Sequence, residues 1–534
     1  MATDFASRPV LVLDARVSLA DAEALARGRL SVVLAPAAEA RCADAHSRLC
    51  RVLAEGRHVY GLTTGFGPLA NRLVDPASAR RLQENLVNHL SAGVGPMLRW
   101  DHARAMVLAR LMSILQGWSG ASAETIAALV GVLNSPLAPA VPERGTVGAS
   151  GDLTPLAHMV LSLQGRGGFL DATGAPVAAE TALEAIGQTT LKLDRRDGLA
   201  LVNGTSAMTG IACLNAGAAH RAIGWATSIS AVLCEVLSGR SEAWHSVFAD
   251  ARPHPGQRRV TDALRSALEG SQWIRDTPIA DRRLAAGAAG TTEAEPGQDA
   301  YTLRCVPQIL GAVLDLLDWH DAVVERELNA ATDNPVFPPP SSGMEGVAPA
   351  MHGGNFMGQH VALASDALAN AVVVMAGLAE RQIARLTDEG LNRGLPAFLH
   401  RGTPGLNSGF MGAQVTATAL LAEMRATCTP VSAQSISTNG ANQDVVSMGT
   451  VAARRASVQL AELARIHAIL AMALAQAIDL RQETVSDGAR PSPAAMSLHA
   501  FVRQTSAAVL EDRPLGAEIE ALSDRIARHA PPPG

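Results

Sequence analysis

Apolar residues spaced three and four apart dominate this sequence from about residue 101 onward. The first such run consists of Met106, Leu108, Leu111, Met112 and Leu115. This spacing places apolar side chains on one face of an α-helix. Similar periods occur over 205–238, 306–329, 355–386, 408–426 and 443–482. The central segments are apolar on most faces, which is typical of helices buried in a core or between subunits. The sequence therefore predicts a mainly α protein with a bundle of long central helices.

The part of the chain before these helices is mixed in character and rich in loops. Short strand candidates lie at Val10–Leu13 and Ser31–Leu34, and clusters of Pro and Gly separate the later helices. We expect an N-terminal region over 1–204, a central helical bundle over 205–490 and a C-terminal helical tail over 491–534.

Charge and composition exclude several classes of function. A net charge of -6 without a basic stripe argues against nucleic acid as a partner. The most apolar helical stretches are interrupted by Asp366, Asn370, His467 and Gln476, so we expect no membrane span. The start MATDFASRPV lacks a secretory signal pattern, and the six cysteines include no CxxC pair. We therefore expect a cytoplasmic protein with reduced thiols.

Cofactor chemistry is also limited by composition. The chain has one lysine, Lys192, against 43 arginines, and pyridoxal phosphate needs a Schiff-base lysine. Lys192 stands in a charged, turn-like string without a Gly-rich phosphate cradle. No HExxH motif or Cys/His cluster with ligand spacing occurs, so we expect no metal.

The only two tyrosines, Tyr60 and Tyr301, stand in polar strings that contain glycine, HVYGLTTGFG and GQDAYTLRC. A lone tyrosine is usually a packing residue with a satisfied hydroxyl, but these settings favour a functional role. Arg304 follows Tyr301 by three residues, so both lie on one face if the segment is helical.

The string TVGASGDLTPLAH, at 146–158, places three very small residues before a helix. Thr154 as a cap and Pro155 in the first turn explain the helix start, but not Ala149, Ser150 and Gly151. If the chain bends tightly there, the Gly151 nitrogen can reach the Ala149 carbonyl carbon, because small side chains permit that approach. Loss of water would close a five-membered ring, and loss of the Ser150 hydroxyl would leave a methylidene. The product, 4-methylidene-imidazol-5-one (MIO), is an electrophile near the positive end of a helix.

The sequence resembles the aromatic amino acid ammonia-lyases and aminomutases in seven motifs that occur in family order. They are YGLTTGFG (60–67), GTVGASGDLTPLAH (145–158), LVNGTSAMTG (201–210), GQDAYTLRCVPQ (297–308), TDNPVF (332–337), HGGNFMGQ (352–359) and SISTNGANQDVVSMG (435–449). The resemblance covers most of the chain. It implies an MIO group formed from Ala149, Ser150 and Gly151, and neither metal nor pyridoxal phosphate. It also implies a homotetramer whose active sites are each built from more than one chain.

The resemblance further implies roles for individual residues. Tyr60 resembles the base that removes a proton from the substrate β-carbon, and Arg304 resembles the clamp for the substrate carboxylate. Tyr301 resembles a partner near the ring and the amine, and Asn203 one that hydrogen-bonds the ring oxygen. Phe356 would pack on the ring. The implied substrate-binding residues are Gly67, His89, Leu90, Leu153, Phe356, Asn439, Asn442 and Gln443. An isolated Asn or Gln is usually a loop or cap contact, so the motifs alone place these amides at the site.

The substrate is indicated by the string LVNHLSAGVG, at 86–95. His89-Leu90 matches the pair found in tyrosine-using members of the family, whereas phenylalanine-using members have Phe-Leu and histidine-using members have Ser-His at the matching positions. A histidine can hydrogen-bond the substrate phenol, and phenylalanine would leave it unpaired at a cost of about 1–3 kcal/mol. Gln443 favours the same substrate class, because histidine-using members carry Glu at the matching position. The expectation is elimination of ammonia from L-tyrosine to trans-p-coumarate, with weaker activity on L-phenylalanine. A tyrosine 2,3-aminomutase, a phenylalanine- or histidine-preferring ammonia-lyase and an inactive helical scaffold remain alternatives.

Overall fold

The structure, a computed structural model, describes residue 5 and residues 7–281, 297–339, 349–485 and 488–533. Helices dominate these residues, which confirms the prediction of a mainly α protein. The α-helices are α1 Leu19–Ala26, α2 Pro36–Ala54, α3 Ala79–Leu90, α4 Trp100–Leu115, α5 Ala123–Asn134, α6 Leu153–Leu163, α7 Ala179–Ala185, α8 Asp197–Val202, α9 Ser206–Val236, α10 Val247–Ala251, α11 Pro255–Ala267, α12 Tyr301–Arg304, α13 Val306–Leu328, α14 Gln359–Thr387, α15 Met411–Ala426, α16 Gly449–Thr484, α17 Pro493–Arg503 and α18 Gly516–Arg528.

Short strands and 3₁₀ helices complete the described elements. The strands are β1 Val10–Leu13, β2 Ser31–Leu34, β3 Val94–Met97, β4 Ala138–Pro139, β5 Pro142–Arg144, β6 Gly168–Leu170 and β7 Pro176–Ala178. The 3₁₀ helices are Gly67–Leu69, Pro76–Ser78, Ser241–Trp244, Ile279–Asp281 and Ala397–Leu399. Strands β1 and β2 have the predicted bounds and pair in parallel, from Val10 opposite Ser31 to Leu13 opposite Leu34. Strands β3 and β5 form an antiparallel pair, and β4, β6 and β7 form an antiparallel three-stranded sheet.

The chain packs into two compact units. Unit 1 contains Met1–Gly217, His320–Ala367 and Pro430–Ala456, and unit 2 contains Ala218–Trp319, Leu368–Thr429 and Ser457–Gly534. Most of the unit boundaries fall within long helices rather than in linkers. The three-part division of the sequence at 204 and 490 stays a prediction.

The core of unit 1 is built around α4, whose residues from Asp101 to Leu115 are all buried. Helices α1, α2 and α5 pack on α4, and α3, α6 and α8 pack on one another. One continuous hydrophobic cluster includes apolar side chains of α3, α4, α6 and α8. Because these helices share one core, the residues at the ends of α3, α6 and α8 are held in fixed relation.

The long helices follow the predicted segments closely, with one instructive difference. The segment predicted at 443–482 is helical only from Gly449. Asn439, Ala441 and Met448 have φ of 49°, 59° and 60°, and left-handed backbone of this kind does not continue a right-handed helix. Residues 435–448 therefore form an irregular loop ahead of α16.

Two described helices, α14 and α16, are long and apolar enough to cross a membrane by length and composition alone. Within their most apolar windows, 67% of α14 and 89% of α16 is buried inside the protein. This burial is the property of core helices, which show the same composition because they have little contact with water.

Candidate active site

A cavity of about 590 Å³ in unit 1 brings together most of the predicted site residues. Its walls include the following predicted residues: Tyr60, Gly67, His89, Leu90, Ser150, Leu153, Asn203, Phe356, Asn439, Asn442 and Gln443. The volume suits a small-molecule ligand. The structure thus gathers predicted residues from five separate motifs and from the 86–95 string around one space.

Further lining residues were not predicted from the sequence. They are Phe66, Pro68, Leu69, Leu86, Leu199, Asn334, Met357, Asp444 and Val445. Phe66, Asn334, Met357, Asp444 and Val445 stand inside quoted motifs, so their motif membership was a usable signal. Leu86 precedes His89 by three residues on α3, and this helical spacing places both on one face.

The loop that precedes α6 is bent tightly, as the cyclisation hypothesis requires. Gly148, Ser150 and Gly151 have φ of 78°, 54° and 76°, a left-handed region that favours residues without bulky side chains. The Thr146 hydroxyl receives a hydrogen bond from Gly148 N at 3.0 Å and donates one to Gly151 O at 3.3 Å. A Cβ atom on Gly151 would lie 2.2 Å from Gly204 O. The residues present therefore fit formation of an MIO group, because the turn is tight and admits only glycine at 151.

Helix α6 begins at Leu153, with Asp152 as its N-cap residue. The prediction that Thr154 caps this helix is therefore wrong, and both Thr154 and Pro155 lie within its first turn. The reason lies in the preceding loop. Its left-handed turn delivers the chain to the helix at Asp152, whose N–H donates to Gly204 O at 2.7 Å.

The Asp152 side chain is fully buried and does not cap the helix. Its carboxylate accepts hydrogen bonds from Met208 N at 2.8 Å and from the Thr450 hydroxyl. Burial raises the pKa of Asp152 to about 6, and these hydrogen bonds partly oppose that rise. The carboxyl ties α6 to the starts of α9 and α16.

Asn203 ends α8 and lines the cavity. Its Nδ2 donates to Asn334 O at 2.7 Å, and its own backbone carbonyl accepts a hydrogen bond from Arg110 Nη1 at 2.6 Å. Arg110 is fully buried on α4. Burial lowers the pKa of Arg110 to about 10, so its guanidinium stays positively charged at neutral pH. Arg110 was not predicted, since an arginine within a largely apolar helix resembles a core ion-pair residue.

Tyr60 is half-buried in the cavity wall. Its hydroxyl oxygen accepts a hydrogen bond from Gly67 N at 2.8 Å. The Tyr60 ring packs edge to face on Phe66, with centroids 6.1 Å apart. An N–H donor at the phenol oxygen stabilises negative charge there, and the hydroxyl proton remains available to another group. Tyr60 is thus placed to exchange a proton with a ligand in the cavity.

A buried glutamine fixes the backbone beside Tyr60. Gln83 on α3 donates from Nε2 to Gly61 O at 2.7 Å, and its Oε1 accepts from Leu199 N at 2.9 Å. Gln83 is fully buried, so both hydrogen bonds are formed without water. The backbone at Tyr60 and Gly61 is therefore hydrogen-bonded to α3, and α3 is hydrogen-bonded to α8.

His89 stands in the last turn of α3, and its ring is exposed to the cavity. Its Nδ1 lies 2.9 Å from the carbonyl oxygen of Asn85. A carbonyl can only accept, so neutral His89 carries its proton on Nδ1 and has an acceptor at Nε2. The neighbouring Asn88 is exposed and accepts a hydrogen bond from Arg166 Nη2 at 2.7 Å.

The irregular loop 435–448 brings three amides to the cavity. Thr438 and Gln443 pair across a tight turn, with Thr438 N to Gln443 O at 3.0 Å. Asn439 Nδ2 donates to Gln443 Oε1 at 2.5 Å, and Gln443 Nε2 donates to Ser150 Oγ at 3.0 Å. The Asn439 contact therefore orients the Gln443 amide, so that its N–H group faces Ser150.

Tyr301 and Arg304 belong to unit 2 and are not among the lining residues of the unit 1 cavity. They form α12, and the Arg304 guanidinium carbon lies 4.8 Å from the centre of the Tyr301 ring. The prediction that both share one helical face is confirmed. Tyr301 is 68% exposed, which is unusual for a tyrosine with a packing role. Asp299 holds the preceding turn by accepting from Arg240 N and Arg393 Nη2, each at 2.7 Å.

Comparisons with known proteins agree with this geometry. The sequence profile of the family described as aromatic amino acid lyase matches residues 17–504. The chain is 60% identical to a tyrosine ammonia-lyase from Cereibacter sphaeroides over 98% of both chains. It is 41% identical to a tyrosine ammonia-lyase from Cupriavidus metallidurans, over 94% of this chain and 92% of the relative. The crystal structure of a tyrosine aminomutase from Streptomyces globisporus superposes with a TM-score of 0.90 at 37% identity, over 97% of both chains.

Proposed function

Because the chain belongs to the aromatic amino acid lyase family, we propose that it is a tyrosine ammonia-lyase that converts L-tyrosine into ammonia and trans-p-coumarate. The observation that carries this proposal is the position of His89 on the cavity wall, with its Nε2 free to accept. The phenol of tyrosine donates a hydrogen bond to such an acceptor, whereas phenylalanine leaves it unpaired. L-Phenylalanine is then a weaker substrate.

The prosthetic group of this proposal is MIO, formed from Ala149, Ser150 and Gly151. When present, MIO supplies an electrophile that activates the substrate amine for departure. The tight left-handed turn and the close contact of Gly151 with Gly204 support its formation here. Asn203, on the cavity wall, is available to hydrogen-bond the ring oxygen.

The other residues of the cavity bind the substrate and move one proton. His89 holds the phenol, and the apolar side chains of Leu86, Leu90 and Leu153 exclude water around the ring of the substrate. Tyr60 removes the proton from the β-carbon, helped by the Gly67 N–H at its oxygen. Gln443 and Asn442 bind the polar end of the substrate beside Ser150. The position of Tyr60 and His89 on the walls of one cavity supports these two roles.

We also propose that the protein works as a cytoplasmic homotetramer in which Tyr301 and Arg304 help to bind the substrate carboxylate. The exposed Tyr301 ring, with the Arg304 guanidinium stacked on it, supports a role at a surface that meets another chain. Exposed apolar residues on the long helices, such as Leu363, Val374 and Val458, support the same assembly. Light scattering from the purified protein should give four times the chain mass of 55.4 kDa, and a monomer would refute it.

Product analysis tests the proposed reaction against its nearest alternative. Purified protein is incubated with L-tyrosine, and the products are separated by chromatography. We expect p-coumarate and ammonia in equal amounts, whereas accumulation of β-tyrosine would identify an aminomutase. Parallel incubations with L-phenylalanine and L-histidine should be slower. The Tyr60→Phe variant is the control, since it keeps the ring but loses the hydroxyl, and it should be inactive.

A further inference from the structure

One buried cation donates a hydrogen bond to the peptide that packs against the backbone of the proposed prosthetic group. Arg110 on α4 is fully buried, and its Nη1 donates to Asn203 O at 2.6 Å. Its Nη2 donates to Ser113 Oγ at 2.7 Å. Its Nε has no hydrogen-bond partner among the described residues. Burial of a guanidinium is costly unless the charge is paired or hydrogen-bonded, and here only hydrogen bonds to neutral groups offset that cost.

The Asn203–Gly204 peptide packs between Arg110 and the loop that contains Ser150, and it contacts both. A Cβ atom on Gly204 would lie 2.3 Å from Arg110 Nη1. On the other side, a Cβ atom on Gly151 would lie 2.2 Å from Gly204 O. No side chain and no water-sized space separate the guanidinium from the Asn203–Gly204 peptide, or that peptide from the loop.

The Asn203–Gly204 peptide has polar contacts on both sides. Gly151 and Gly204 form a parallel bridge in which Asp152 N donates to Gly204 O at 2.7 Å, and this pairing turns the Gly204 N–H towards the Ser150 carbonyl. The carbonyl of the same peptide, on Asn203, accepts from the Arg110 guanidinium. Hydrogen bonds to a charged donor are about twice as strong as neutral ones, and bonds in series polarise one another. The charge on Arg110 therefore makes the Gly204 N–H a stronger donor.

The charged neighbours of Arg110 do not cancel this effect by pairing with it. Arg196 and Asp333 are fully buried and pair with each other, with two N–O distances of 2.8 Å. Asp152 is occupied by Met208 N and the Thr450 hydroxyl, and Glu327 by the Thr205 hydroxyl at 2.6 Å. Arg110 forms no ion pair among the described residues, and its nearest acceptors are a backbone carbonyl and a serine.

We propose that Arg110 is a positioning residue that, through the Asn203–Gly204 peptide, increases the electrophilicity of the group formed from Ala149, Ser150 and Gly151. If a nucleophile added to that group, negative charge would gather on the Ser150 carbonyl, and the polarised Gly204 N–H would stabilise this charge. The inference rests on the proposed function, because it assumes that the MIO group forms.

The test compares Arg110→Gln, which removes the charge but retains an N–H donor, with Arg110→Lys, which retains the charge. The probe is 2-mercaptoethanol, a thiol that adds to electrophilic double bonds, and the readout is loss of the near-ultraviolet absorbance of the group. Rates are divided by the amount of group formed in each variant. We expect the Gln variant to react about 10- to 100-fold more slowly than the wild type, and the Lys variant to stay within about 5-fold of it. In turnover of L-tyrosine, kcat should decrease from the wild type to the Lys variant to the Gln variant, while KM changes little.

Arg104→Gln is the matched control. Arg104 is also fully buried on α4, but it donates to backbone carbonyls such as Val132 O and Ser135 O, none of which lines the cavity. Its variant should lose thermal stability as the Arg110 variants do, with an unchanged thiol rate per group. Equal thiol rates for wild type, Arg110→Gln and Arg110→Lys would overturn the proposal and leave Arg110 a structural residue.

A further variant keeps the proposal testable if Arg110→Gln does not form the group. Ser113→Ala removes the partner of Nη2 and leaves Arg110 in place, so the thiol rate should fall by about 2- to 5-fold. An unchanged rate would count against the proposal. Failure of the proposed function is distinguishable, because it shows as wild-type protein that produces no p-coumarate, whereas the thiol assay needs no substrate.

Discussion

Gln443 Nε2 donates a hydrogen bond to Ser150 Oγ at 3.0 Å, although 293 residues separate the two in sequence. The contact places a neutral amide next to the serine that the proposed ring consumes. Asn439 Nδ2 donates to the Gln443 amide oxygen at 2.5 Å, which leaves the Gln443 N–H group on the side of Ser150. A charge on residue 443 would therefore lie next to the position that the substrate amine is proposed to occupy.

Gln443→Glu should lower activity on tyrosine. The carboxylate cannot donate to the polar end of the substrate, and it adds a negative charge to a cavity wall that already contains Asp444. We expect kcat/KM for L-tyrosine to fall by about 10-fold or more, as for loss of one hydrogen bond to a charged or polar group. Steady-state kinetics with L-tyrosine and L-histidine measures this. Gln434→Glu, at an exposed position, is the control, and an unchanged kcat/KM in Gln443→Glu would be evidence against the placement.

His89→Phe should change the preferred substrate. Since Asn85 O fixes the Nδ1 proton at 2.9 Å, His89 presents Nε2 to the phenol, and phenylalanine at 89 removes this acceptor. The kcat/KM for L-tyrosine should fall roughly 5- to 150-fold, while that for L-phenylalanine should rise. Competition between the two amino acids in one reaction gives the ratio directly. Retained tyrosine preference would show that another group binds the phenol.

Gly151→Ala should prevent formation of the proposed ring. The new Cβ would lie 2.2 Å from Gly204 O, in addition to the strain of φ at 76°. Gly174→Ala separates the two effects, because Gly174 has φ of 86° and nothing within 4 Å of the new Cβ. Both variants carry a backbone cost of about 1 kcal/mol. The near-ultraviolet absorbance of the group should vanish in Gly151→Ala only, and its persistence there would refute the close contact.

The stability of the wild type relative to Asp152→Asn should depend on pH. The folded-state pKa of Asp152 is about 6, above the ordinary value of 3.8. The folded state therefore binds this proton more tightly, and the stabilisation is complete below pH 3.8 and is lost as the pH rises through 6. From pH 4 to 7 the wild type should lose up to about 3 kcal/mol relative to the variant. Urea unfolding of both proteins at several pH values measures this difference, and a constant difference would contradict the assignment.

The sequence predicted those parts of the fold and of the site that depend on local motifs. The strands at Val10–Leu13 and Ser31–Leu34, the tight turn at Ser150 and the shared face of Tyr301 and Arg304 all follow from residue type and short spacing. The Thr154 cap was wrong because a left-handed turn at Ser150 and Gly151 changes where the helix can begin. A cap motif describes local preference, and the tertiary contact of Asp152 N with Gly204 O decided the outcome.

The supporting residues could not be predicted from local patterns. Gln83 hydrogen-bonds both Gly61 O and Leu199 N, and Leu199 lies 116 residues after Gln83 in sequence. Arg110 donates to the carbonyl of Asn203, which lies 93 residues after it. In sequence, each is one of several polar residues in an ordinary amphipathic or largely apolar helix. Their roles come from buried hydrogen bonds to backbone groups, and such partners leave no trace in side-chain spacing.

Near-ultraviolet absorbance during incubation of the purified protein with L-tyrosine, beside the Ser150→Ala variant, tests the proposed reaction most directly. We predict a steady rise as p-coumarate forms, a slower rise with L-phenylalanine and no rise in the variant. A wild type that produces no p-coumarate, or a Ser150→Ala variant that produces it as fast, would contradict the claim that Ser150 supplies the electrophile of a tyrosine ammonia-lyase.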